Sequence, residues 1–212
     1  MREPLAEFLA TTMLVFLGDA AVAQTFLSAG TSSEGSFLGV VAAWGIALGL
    51  CGIIASPVTA VQMNPATTLT FAMFRSFPKR KVVPTIVAQL VGGVVAALLL
   101  VSLYPNMPRS AESRACFSTY PQPNVSLGVA LWNEIFATAI IHIAAMATTD
   151  RRFKCHPVGA SAILGTTLII IGLSMGLQTG YALNPARDLG PRFVSMLCNL
   201  FAFYAKIDDF QC

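Results

Sequence analysis

Charged residues cluster along this chain, and between the clusters it stays apolar for long stretches. Positions 35–74, 82–108 and 155–186 hold no Asp, Glu, Lys or Arg. These runs are continuous and rich in Leu, Ala and Gly, and they lack the alternation of a half-buried strand. A helix that crosses a bilayer needs about 20 apolar residues. The pattern therefore predicts spanning helices at 5–28, 36–56, 83–104, 127–147 and 158–177. Positions 115–133 are also uncharged, but Pro, Ser, Thr, Asn and Gln fill them, so they read as a loop. The first apolar segment starts almost at Met1 and carries Glu7 and Asp19, which fits a retained helix better than a cleaved signal.

Two runs are too long for one helix. The run 35–74 is interrupted by Pro57 and Asn64-Pro65, and the run 155–186 by Asn184-Pro185. Each reads as a full span followed by a short apolar piece that starts at Asn-Pro and cannot cross. Irregular backbone at membrane depth is tolerated only where protein buries it or where it lines a watery cavity. Both pieces are therefore expected to be re-entrant half-helices.

Composition strengthens this picture. Of the 212 residues, 55% are hydrophobic and 11% charged, where a soluble domain has about 25% charged. Too few polar side chains exist to cover a soluble surface, so the chain reads as one polytopic, all-α membrane domain, 1–212. A net charge of +3 is no nucleic-acid footprint, and no nucleic-acid partner is expected. Two histidines and five cysteines without a C-x-x-C spacing argue against a metal site or a disulfide framework. No cofactor is expected. Basic residues set the orientation. Arg75, Lys79, Arg80 and Lys81 precede the third span, Arg151, Arg152 and Lys154 lie between the fourth and fifth, and Arg2 lies at the start. Five alternating spans put all of them on one side, which the positive-inside rule makes cytoplasmic, with the N-terminus.

An internal repeat is visible. Ala6-Glu7-Phe8-Leu9-Ala10-Thr11 resembles Asn133-Glu134-Ile135-Phe136-Ala137-Thr138, and Met63-Asn64-Pro65-Ala66 resembles Leu183-Asn184-Pro185-Ala186. The first copy covers about 1–104 and the second about 127–197, with 198–212 as a short tail. A unit with an odd number of crossings makes its second copy inverted. Inverted repeats with broken helices at matching places point to a pathway near the midplane.

The two triplets Asn64-Pro65-Ala66 and Asn184-Pro185-Ala186 carry the chemistry. Asn is a preferred N-cap, and Pro at the first helical position has no N–H to lose. Asn64 is expected to accept from Ala66 or Thr67 and Asn184 from Ala186 or Arg187, leaving both NH2 groups as donors. Two positive helix ends meeting at mid-membrane repel cations while the amides bind a neutral hydroxyl or water. Arg187 within an apolar stretch is costly unless it faces water or a partner.

On these residues the chain resembles the major intrinsic proteins, and within them the aquaglyceroporins. The string from Gly180 to Arg192 and Phe117-Ser118-Thr119-Tyr120-Pro121 carry the resemblance most specifically. It implies an aquaporin-like inverted repeat with two half-helices around one pore per subunit, four subunits together, and no enzymatic activity. It implies passage of glycerol, other small neutral solutes and water through a cell membrane. It implies a selectivity filter of Trp44, Gly172, Tyr181 and Arg187, with Asp188 as a marker of the glycerol branch. It implies that Glu7 and Glu134 support the irregular segments whose carbonyls, at Ala60, Val61, Gln62, Gly180, Tyr181 and Ala182, face the pore.

Three features depart from the family pattern. Gln62 stands where His is common. Asp19 and His142 lie within spans and are expected to face a subunit contact or an aqueous vestibule, with a proton-sensing group as the alternative for either. Positions 198–212 are too short and too charged to supply a sixth span, so the sequence reads as truncated before it. A second reading follows from that departure: a non-conducting subunit that assembles with full-length relatives and modulates them.

Overall fold

A computed structural model describes residues 2–108, 110 and 113–205, and for 199–205 the backbone alone. Among the described residues there are seven α-helices, one short 3-10 turn at Ser113–Cys116 and no strand. The helices are α1 (Arg2–Leu27), α2 (Phe37–Ala55), α3 (Pro65–Phe74), α4 (Lys79–Leu103), α5 (Leu127–Thr148), α6 (Pro157–Thr179) and α7 (Pro185–Ala205). Of these, α1, α2, α4, α5 and α6 are long and apolar enough to cross a membrane.

Local sequence explains where the elements start. Ser36 caps α2 by accepting from the Gly39 N–H, and Ser126 caps α5 by accepting from Val129. α3 and α7 both begin with Pro at the first helical position. The faces that look outward carry large apolar side chains such as Ile46, Leu98, Trp132 and Ile170, as a lipid-facing surface requires.

α1 packs against α4 and α2, α2 against α6, α5 against α6, and α4 against α7. The crossings depend on small residues, which let backbones approach where lipid is as apolar as the side chains. A Cβ on Gly190 of α7 would lie 2.7 Å from the carbonyl carbon of Gly93 in α4. A Cβ on Gly165 of α6 would lie 2.5 Å from the Gly45 oxygen of α2.

One boundary needs correction. The tail expected from 198 onward begins too early: α7 runs without a break from Pro185 to Ala205. Leu, Phe, Met and Ala fill this stretch after Pro191, and no Gly or Pro stops the helix. The remainder of that tail, 206–212 with Lys206, Asp208 and Asp209, lies outside the described residues.

Candidate functional site

The centre of the molecule is the meeting point of α3 and α7. Asn64 Oδ1 accepts from the Ala66 N–H at 2.8 Å, and Asn184 Oδ1 accepts from Ala186 at 2.9 Å and from Arg187 at 3.4 Å. Each amide also reaches across the junction. Asn64 Nδ2 donates to the Leu183 carbonyl at 3.0 Å, and Asn184 Nδ2 donates to the Met63 carbonyl at 2.7 Å. The two half-helices are thus joined end to end by a reciprocal pair of hydrogen bonds. This qualifies the reading of the NH2 groups as unused donors: one N–H of each crosses the junction.

The segments before each half-helix are held in backbone conformations that branched and bulky side chains avoid. Val61 and Met63 have φ of 51° and 50°, and Tyr181 and Leu183 have 42° and 53°. Each such residue costs about 1–3 kcal/mol and persists only where its surroundings fix it. The two intramembrane glutamates do the fixing. Glu7 Oε1 accepts from Thr59 Oγ1 at 2.7 Å and the Gln62 N–H at 2.9 Å. Its Oε2 accepts from the Met63 N–H at 2.7 Å and Gln89 Nε2 at 2.8 Å. Glu134 Oε1 accepts from Thr179 Oγ1 at 2.6 Å and the Ala182 N–H at 3.1 Å, and Oε2 from the Leu183 N–H at 3.1 Å. Spending the segment's N–H groups on a carboxylate behind it leaves its carbonyls to face the other way.

A cavity of about 460 Å³ passes through this junction. Ala60, Val61, Gln62, Asn64, Tyr181, Ala182, Asn184, Trp44 and Arg187 line it, and it reaches Asp150, Arg151 and Lys154 at one end. Within the lining, the Arg187 guanidinium carbon sits 4.5 Å from the centroid of the Trp44 ring. Pro65, Ala66, Pro185 and Ala186, the first residues of α3 and α7, are not among the residues that line it.

Two of the expected residues are placed differently. Gly172 is not in the cavity wall. A Cβ there would lie 2.7 Å from Val41 Cγ1 and 3.1 Å from Tyr181 Cζ, so Gly172 makes room for the Tyr181 ring. Gly180 also stands off the cavity, ending α6 with φ 81° against Thr119. Asp188 faces neither solute nor cavity. Its Oδ1 accepts from the Thr119 N–H and hydroxyl at 2.9 and 3.0 Å, and Arg192 pairs with it while donating to the Thr119 carbonyl. Arg192 also lies over the Tyr120 ring, 4.7 Å from its centroid. Asp188 and Arg192 therefore pin the outer loop to α7.

Asp19 does not face a vestibule or the outside, whereas His142, though 8% exposed, lines an open groove together with Glu134 and Thr138. Asp19 is 1% exposed, beside Arg187. His142 is buried, with Nδ1 2.7 Å from the Thr138 carbonyl and Nε2 3.1 Å from Thr67 Oγ1. A carbonyl only accepts, so Nδ1 carries the proton and Nε2 accepts the hydroxyl of α3. Sequence reading also missed Gln89, Thr59 and Thr179. Gln89 is the one amide in the apolar α4, and such a residue signals a buried partner.

Comparison with known proteins now bears on this geometry. The family model described as Major intrinsic protein matches residues 1–205. Aquaglyceroporin-2 of Rhizophagus irregularis is 36% identical, with 96% of this chain and 65% of that protein covered. The glycerol uptake facilitator protein of Escherichia coli is 35% identical, with 91% of this chain and 73% of that protein covered. The chain spans about two thirds of the length of the curated relatives it matches. An X-ray structure of the aquaglyceroporin from Plasmodium falciparum superimposes with a TM-score of 0.84 at 28% identity, covering 99% of this chain and 86% of that one.

Proposed function

The chain belongs to the major intrinsic protein family, and from that premise we propose that it is a passive channel for glycerol, other small neutral solutes and water. The observation that carries this reading is one cavity lined by both Asn amides and by the Trp44–Arg187 pair. Glycerol has an apolar carbon edge and a hydroxyl edge. Trp44 and Tyr181 suit the first, and the donors of Arg187, Asn64 and Asn184 suit the second. Neutral solutes lose no charge solvation there. A cation meets two half-helix N-termini and a guanidinium, all positive.

The assigned roles follow. Trp44, Tyr181 and Arg187 form the filter, with Gly172 setting the Tyr181 position. Asn64 and Asn184 hand hydroxyls across the junction, and the carbonyls of Ala60 to Gln62 and of Tyr181 and Ala182 form a ladder on either side. Glu7 and Glu134 support that ladder and perform no acid–base chemistry. Residues 1–212 belong to one channel domain in a cell membrane, with a first repeat at about 1–104 and an inverted, incomplete second repeat from about 127, assembled as a homotetramer or with full-length relatives.

The N-terminus lies in the cytoplasm. Arg75 donates to the Met146 carbonyl and lies 3.6 Å from Asp150, and Lys81 pairs with Glu3 at 2.8 Å. These contacts bring the basic loops and the start of α1 to one end of the bundle, as a positive cytoplasmic face requires.

Swelling of proteoliposomes in a glycerol gradient tests the channel. We expect swelling faster than that of empty vesicles and an absence of ion current. Rates equal to those of empty vesicles at verified incorporation refute it.

A further inference from the structure

The filter cation has to be held, and the structure shows by what. Arg187 is 7% exposed. Its backbone N–H is spent on Asn184, and one face of its guanidinium lies against Trp44. Behind it, on α1, Asp19 Oδ1 stands 3.7 Å from Arg187 Nη1. That separation is an ion pair and lies outside hydrogen-bond range. Neither oxygen of Asp19 has a hydrogen-bond partner within the described residues, and neither does Arg187 Nη1. A buried carboxylate without donors stays ionised only where an opposite charge stands beside it. Arg187 is the cation at hand, because Arg192 is already paired with Asp188. Asp188 is in turn spent on Arg192 and Thr119 and is not free to hold Arg187.

α1 also seats the other half of the filter. A Cβ on Gly18 would overlap the Trp44 indole. Consecutive residues of α1, Gly18 and Asp19, thus support the aromatic and the cationic member. The cavity is lined by Trp44 and Arg187 but not by Asp19, so a solute never touches the carboxylate.

We infer that Asp19 is a positioning residue for Arg187, fixing the guanidinium in the constriction and balancing its charge, and so setting the passage of glycerol relative to water. The physical reason is that a long, freely rotating side chain defines no constriction, whereas one held by its charge partner does. The functional half of this inference rests on the channel reading. The pairing itself does not.

The experiment compares the full chain, Asp19→Asn, Arg187→Val and the double variant in liposomes and in detergent. The readouts are the glycerol-to-water permeability ratio and the thermal unfolding midpoint. Asp19→Asn should shift the ratio about tenfold from that of the unaltered chain, the scale on which one group in a pocket discriminates. In the Arg187→Val background the same change should shift it no further. Arg187→Val alone should lower the midpoint, because it strands the carboxylate, and adding Asp19→Asn should restore it. An unchanged ratio in folded Asp19→Asn, or an equal shift in both backgrounds, overturns the inference. If Asp19→Asn alone does not fold, a folded double variant supports the pair and an unfolded one overturns it. If the unaltered chain passes no solute, the channel reading fails, and recovery of the midpoint in the double variant still decides the pairing.

Discussion

Glu7 and Glu134 hold corresponding places in the two repeats, and their surroundings differ. Both carboxylates accept two backbone N–H groups and one threonine hydroxyl. Glu7 gains a fourth donor, Gln89, which reaches in from α4 and is itself bonded to Thr68 of α3. Glu7 is sealed at 1% exposure, while Glu134 is half-buried on an open groove with Thr70, Phe74 and Thr138. The bonds around Glu134 to the backbone are longer, at 3.1 Å against 2.7 and 2.9 Å. The repeat copies a device, and its strength is set by the neighbours that close it. A carboxylate cut off from water gains more from each donor and loses more with each one removed.

The largest effect is expected from Glu7→Gln. Its NH2 would confront N–H groups of Gln62 or Met63, stranding buried donors at about 1–3 kcal/mol each. Loss of about 3–5 kcal/mol in detergent unfolding, with little protein reaching the membrane, is the expected result for two such donors. Glu134→Gln should cost less, about 1–3 kcal/mol, because one donor fewer holds it and its backbone bonds are longer. If Glu134→Gln proves the more damaging, the donor set does not decide the strength and the comparison breaks.

Gln89→Leu sharpens it. That change removes the fourth donor and should leave Glu7 resembling Glu134, at a cost of about 1–2 kcal/mol. Combined with Glu7→Gln it should add little, because the two residues share one network. Additive losses in the double variant would show that Gln89 acts on its own.

The second repeat has its own sensitive point. Gly172→Ala should push the Tyr181 ring and lower glycerol flux relative to water by about tenfold. Val41, buried on α2 and 2.7 Å from where that Cβ would lie, makes this space tight. A stopped-flow ratio equal to that of the unaltered chain would remove Gly172 from the filter.

The smallest effect is expected at the basic end. Hydrogen bonds from Arg152, with Arg75 nearby, hold the Asp150 carboxyl well below the usual carboxylate range. Its folded pKa lies below the unfolded value of about 3.9, so its contribution is complete above that pH and is lost as pH falls below it. Asp150→Asn should therefore unfold slightly earlier than the unaltered chain at neutral pH. The difference should shrink in acid below about pH 4. A difference that grows in acid would contradict the assignment.

Much of the molecule is legible without coordinates, because the bilayer writes it locally. Uncharged runs longer than a span, Asn-Pro at their ends, Ser at the caps and the repeated Glu-bearing hexapeptide follow from short-range rules. The five spans and both half-helix starts lie within a few residues of where those rules put them. What the sequence leaves open are contacts between positions far apart in the chain. Asn64 meets Leu183, Gln89 meets Glu7 and Asp19 meets Arg187. A periodic pattern says which face of a helix is apolar and nothing about which partner covers it. Asp19 in an apolar span could belong to a pore, a subunit contact or a buried pair. Gly172 could widen a filter or seat a neighbour's ring. The packing of α1 and α6 around the junction decides both, because a buried charge or a missing side chain acquires its meaning only from what stands within a few ångströms of it.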